Sequence, residues 1–240
     1  LEADGVILNP VAVGGILNIT ATAGNITATD VTAQGGATTL TAELGGIEVG
    51  VIDGTGQTVN LDADLAITDN GTGITADTLN ITDAASVGTA AANLDTNIAT
   101  LQMSNVDGGS YILEADGVDL NTVNVGGILE VATTAGDITA TDVDTSDDNI
   151  SLTAAGNILA TDINTNEVTA TTVTLDAGGT ITDGGGAGIT AGTLDITGAT
   201  SVGASGATLD VNVDTLKMAS VTGGSYILEA DGVDLNTVNV

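Results

Sequence analysis

Cysteine, histidine, arginine, tryptophan and phenylalanine are all missing from this 240-residue chain, and proline and lysine occur once each, as Pro10 and Lys217. Without Cys or His there is no disulfide framework, zinc site, haem ligation or thiol chemistry. One cation stands against 32 acidic residues, a formal net charge of −31. Phosphate neutralisation is therefore out of reach, so nucleic acid is excluded as a partner. An anionic membrane surface would repel the chain for the same reason. No apolar run approaches the roughly 18 residues that span a bilayer, and membrane insertion is not expected. With neither an initiator Met nor a signal peptide, the chain reads as a segment of something longer.

What is present is small, apolar and β-prone. There are 34 Gly and 41 Thr, and 42% of residues are hydrophobic, nearly all Ala, Val, Ile or Leu. High net charge invites a reading of disorder. A positive mean hydropathy and a single proline argue against it. Stretches such as Ile16–Thr22 (ILNITAT) and Glu167–Leu175 (EVTATTVTL) alternate with the period of two that marks strands. No segment shows a helical period, and Gly interrupts nearly every candidate.

The chain repeats itself. Met103–Val125 returns as Met218–Val240, 115 residues later, with 20 of 23 positions identical. LEADGVILNPVAVGGIL at Leu1 matches LEADGVDLNTVNVGGIL at Leu113. This gives a first unit over 1–112, a second over 113–227 and the start of a third over 228–240, without linkers. Within each unit a Leu recurs, at Leu1, Leu17, Leu40, Leu61, Leu79 and Leu94, then at Leu113, Leu129, Leu152, Leu175, Leu194 and Leu209. The spacings, 15 to 23 residues, agree closely between units. A period of about 19 residues with strand patterning predicts an all-β, right-handed parallel β-helix, or β-solenoid, of six coils per unit. The Leu side chains then form one inward ladder, and the next residue in each case faces out. Nine of those thirteen neighbours, counted through Glu229, are acidic and would stack: Glu2, Asp62, Asp95, Glu114, Glu130, Asp176, Asp195, Asp210 and Glu229. The competing architecture is a string of 115-residue β-sandwiches. It lacks aromatic core anchors, since only Tyr111 and Tyr226 exist, and it leaves the inner period unexplained.

Gly136–Thr165, and within it NISLTAAGNIL at Asn149–Leu159, resembles the repeats of filamentous haemagglutinin-like exoproteins of Gram-negative bacteria, and LDAGGTI at Leu175–Ile181 echoes the same phrase. The resemblance implies a right-handed β-helix that is secreted to the cell surface or beyond. It also implies a part in adhesion or in an extracellular fibre.

Carboxylates are the only catalytic material. A glycosidase needs just two of them, but such sites also need cations or aromatics to hold sugar, and an enzyme is not expected. No cofactor is required. Calcium is the one the sequence admits, because hard cations take oxygen ligands. The candidate ligands are Asp142, Asp144, Asp147 and Asp148 in one cluster, and Asp62, Asp64 and Asp69 in another. The first cluster departs from an EF-hand loop, with Asp147 where Gly belongs and Thr153 where Glu belongs. Solvated turn and surface Asp is the alternative reading of both. Thr-x-Thr pairs in ITATD at Ile26–Asp30 and Ile138–Asp142 could order water on a flat face, or be ordinary outward strand positions. Five N-x-[ST] sequons, at Asn18, Asn25, Asn70, Asn80 and Asn149, carry little weight in a Thr-rich chain. Tyr111 and Tyr226 either cap the interior at one corner or offer surface contacts. The reading that gathers these features is a structural repeat segment of a long extracellular bacterial fibre or adhesin. Its expected partners are neighbouring copies of itself and a host or environmental glycan. The second reading is a cation-dependent adhesive module binding a glycan or receptor.

Overall fold

The computed structural model describes residues 4–166 and 170–240. Leu1, Glu2 and Glu167 lie outside the described residues. The chain is all-β: parallel strands stack as a β-solenoid of about 11 turns, with no helix among the described residues. It divides into two compact units, Leu1–Ala115 and Asp116–Val240.

Each unit is built from three inward ladders, one per side of the coil. In the first unit one ladder runs Val6, Ile26, Ile47, Ile67, Val87 and Ser110. A second runs Val11, Val31, Ile52, Ile74, Thr96 and Glu114. The third runs Leu17, Thr38, Val59, Leu79 and Leu101. In the second unit the corresponding ladders start at Val118, Val123 and Leu129. Alternation explains the pattern: Thr38–Ala42 reads buried, half-buried, buried, half-buried, buried. β-Branched side chains pack well on such a pleated surface. Full burial of one Ile, Leu or Val contributes about 1.5–3 kcal/mol, and Ile26, Leu40, Ile52 and Leu61 are among those wholly buried.

The coil is longer than the Leu spacing suggests, about 21 residues. Ile26, Ile47 and Ile67 step by 21 and 20 residues. The Leu residues do not form one ladder. Leu40 stacks on Leu61 and Leu152 on Leu175, but Leu17 stacks on Thr38 and Leu79 on Val59. Leu, Ile and Val exchange freely at inward positions, so counting Leu alone jumps between ladders. Leu113 breaks the expected polarity altogether. It is half-buried and outward, while its neighbour Glu114 is wholly buried.

Corners are closed by side chains that reach the next coil. Asn25 Oδ1 accepts from the Gly46 amide at 2.9 Å, Asn149 Oδ1 from Thr172 at 2.8 Å, and Asn157 Oδ1 from Thr180 at 2.8 Å. Gly is obligatory at Gly73, where φ is +79° and a Cβ would lie 1.8 Å from the Asp95 carbonyl oxygen.

Candidate functional surface

The acidic residues do not form the continuous stacks that the Leu pattern predicts. Asp62 lies between Thr41 and Asp83, Glu130 opposite Ser151, and Asp176 between Thr153 and Gly198. Asp195 lies between Thr174 and Lys217 in the strand register. Interleaved Thr, Asn and Gly keep most carboxylates apart. On one side Thr39, Asn60 and Asn80 form a hydrogen-bonded column instead: Asn80 Nδ2 donates to Asn60 Oδ1 at 2.9 Å, and Asn60 Nδ2 to Thr39 Oγ1 at 3.2 Å.

Of the second calcium cluster, Asp62 and Asp64 share a corner, and Asp69 does not join them. Asp69 is a strap: Oδ1 accepts from the Gly71 amide at 2.6 Å and Oδ2 from the Asp95 amide of the next coil at 3.0 Å. Asp183 repeats the device, with Oδ2 accepting from the Asp210 amide at 3.2 Å. The partners that the sequence did not reveal are Asp83 and Asp107. Burial raises the Asp83 carboxyl above its ordinary range, and the charges of Asp62, Asp107 and Asp64 add to the rise. Burial likewise raises Asp95, helped by Asp69.

The first cluster also divides. Asp142 and Asp144 point outward on one strand, where they meet Asp162 of the next coil. Burial raises Asp144 and Asp162, and the charge of Asp142 raises both further. Asp147 turns the corner with φ of +65°, and Asp148 caps it by accepting from the Asn149 amide at 2.9 Å. Among the described residues no group of three or more carboxylates is arranged to hold a metal ion.

Among the described residues the wholly buried carboxylate is Glu114. It accepts from Thr96 Oγ1 at 2.7 Å and from the Ile98 amide at 3.1 Å, all inside the coil. Its repeat equivalent Glu229 is half-buried, stacks on Val211 instead of a Thr, and accepts from the Val213 amide at 3.4 Å with Oε2 and from the exposed Ala230 and Asp231 amides at 3.0 and 3.4 Å with Oε1.

The tyrosines do not cap the interior. Ser110 points inward and is wholly buried, and Tyr111 beside it faces out. Its ring lies over Gly109, where a Cβ would sit 3.0 Å from Cε2. Tyr226 lies over Gly224 in the same way and is 44% exposed. This explains the Gly-Gly-Ser-Tyr run: the second Gly makes room for the ring. The ITATD threonines form no Thr column, since Thr27 opposes Glu48 and Thr139 opposes Leu159. Comparison with family models, curated proteins and solved structures found no match.

Proposed function

We propose that this chain is a structural repeat segment of a long extracellular bacterial fibre or adhesin, of the filamentous haemagglutinin-like kind. One observation carries the reading. The ten residues DGVDLNTVNV occur at 116–125 and again at 231–240. In the first copy Leu120, Val123 and Val125 are 0–1% exposed beneath the coil stacked on them; in the second Leu235, Val238 and Val240 are 43–65% exposed. The same strand is thus suited to accept another coil of its own kind. Ladders that are mostly apolar supply rigidity, and an acidic exterior with a single cation favours solubility. Copies of the same segment, end to end, are its first partners, and a glycan is the second. Secretion fits the absence of Cys and the acidity. Antibodies against the chain should label filaments on intact cells of the source organism; label confined to lysed cells would overturn the proposal.

The crowded carboxylates around Asp83 favour a second reading, in which divalent cations settle loosely along the corners and support adhesion. Calcium should then raise the melting temperature more than NaCl of equal ionic strength. Identical melts would reduce the effect to general screening.

A further inference from the structure

The two copies of DGVDLNTVNV do not sit on the same side of the coil. Within the second unit, Leu120 of the first copy stacks on Ala140, which stacks on Ala160. The equivalent Leu235 belongs to a different ladder, running Leu129, Ile150, Val173, Leu194, Leu216 and Leu235. Likewise Val123 stacks on Val143, whereas its equivalent Val238 stacks on Met218, Ile196 and Leu175.

The chain visits the three sides in a fixed order. From Leu120 on the first side it passes Val123 on the second and Leu129 on the third, then returns to the first at Ile138. The first side has six rungs: Val118, Ile138, Ile158, Ile181, Val202 and Ser225. Leu235 falls on the third side of the sixth coil. The 115 residues between equivalents therefore cover five whole coils and two further sides counted from Leu120 to Leu235, and five coils and one side counted from Val123 to Val238. That is seventeen or sixteen sides of a three-sided coil, and neither number divides by three.

We infer that tandem copies of this repeat turn their equivalent surfaces by one third of a turn from each repeat to the next. The inference rests on the fibre reading for its consequence, not for its geometry. Three repeats close on sixteen or seventeen whole coils. At the strand spacing of about 4.8 Å, one repeat rises about 26–27 Å and three rise about 77–82 Å. A group that occurs once per repeat, such as Tyr226 on Gly224, is then dealt to all three sides in rotation. Each side shows it once per three repeats. The partner such a surface fits is multivalent: one that lies along a single side engages sites about 77–82 Å apart, and one that winds round the fibre engages every site at steps of about 26–27 Å.

Paired cysteines test the register in this chain, which has no cysteine of its own. Asp119 opposes Thr139 in the first copy, and Asp234 opposes Thr215 in the second. Adjacent strands bring their Cα atoms within the span of a disulfide, about 4.4–6.8 Å. D119C/T139C and T215C/D234C should each lose both free thiols on mild oxidation, while Y226C/D234C should keep them. A repeat of whole coils would place Asp234 above Tyr226 and reverse the last two results. Failure of T215C/D234C to close, in a protein whose far-UV circular dichroism matches the parent, overturns the inference. The oxidation is read on the isolated chain, so its failure is distinct from a failure of cell-surface labelling, which would remove the fibre and leave the register standing.

Discussion

Replacing Glu114 by Ala removes the carboxylate that accepts from two buried donors, the Thr96 hydroxyl at 2.7 Å and the Ile98 amide at 3.1 Å, and leaves the hydroxyl only the Leu113 carbonyl at 3.5 Å. Thr96 is 4% exposed, so water cannot take the carboxylate's place without entering the core. Each buried donor left unpaired costs about 1–3 kcal/mol. One lost methylene adds about 0.8 kcal/mol. Relief of the carboxylate's own desolvation acts in the other direction. We expect Glu114→Ala to destabilise the chain by about 2–4 kcal/mol, the lower and middle part of that range. Glu229→Ala, at a half-buried position above Val211, loses a 3.4 Å contact to the Val213 amide and exposed contacts to the Ala230 and Asp231 amides that water can replace, and should cost about 1 kcal/mol. Two further variants separate the causes. Glu114→Gln keeps an acceptor of the same shape and isolates the charge. Thr96→Val with Glu114→Leu removes the hydroxyl and the carboxylate together, so the Thr96 donor is no longer left unpaired and part of the loss should be recovered. Guanidinium unfolding followed by far-UV circular dichroism is the assay, because the chain has no Trp. Equal losses for Glu114→Ala and Glu229→Ala would refute the reasoning.

Leu152 is wholly buried between Val131 and Leu175, so Leu152→Ala should cost about 2–5 kcal/mol in the same unfolding assay. Thr38 occupies an apolar ladder at 1% exposure with no hydrogen-bond partner for Oγ1; Thr38→Val keeps its shape and should stabilise by about 1 kcal/mol, read as a higher midpoint at unchanged m-value. Asp83, Asp95, Asp144 and Asp162 bind protons more tightly folded than unfolded, their carboxyls being raised above 3.8. Their contribution is therefore fully present below about pH 3.8 and is lost as pH rises through the folded values. Thermal melts near pH 4 should show this as a gain over pH 7 that shrinks in Asp144→Asn.

The solenoid was legible because alternation and repetition are properties of the pattern, not of single residues. Leu17–Ala21 and Thr172–Ala177 alternate whatever the partner strand, whereas the start of the second stretch, 167–169, lies outside the described residues and Ala170 lies in a turn. What the pattern left open was which residues share a ladder. Leu17 and Leu40 look alike in sequence, yet Leu40 shares its ladder with Ile19. Tyr111–Glu114 alternates equally well with Leu113 inside or with Glu114 inside. Hydrophobicity selects Leu113, and the structure selects Glu114 because Thr96 and the Ile98 amide wait opposite it. The candidate metal residues failed to gather for a related reason. Neighbours in sequence such as Asp62 and Asp69 lie on different sides, whereas Asp62 and Asp83, a coil apart in sequence, oppose each other.

The fold is a stack of parallel coils, and the proposed function has such coils assembled into filaments. Diffraction from aligned assembled material tests this most directly. The account predicts a strong axial reflection at about 4.8 Å, parallel to the long axis of the filaments. Strands running along that axis, with the 4.8 Å spacing across it, would contradict the account, as would separate beads.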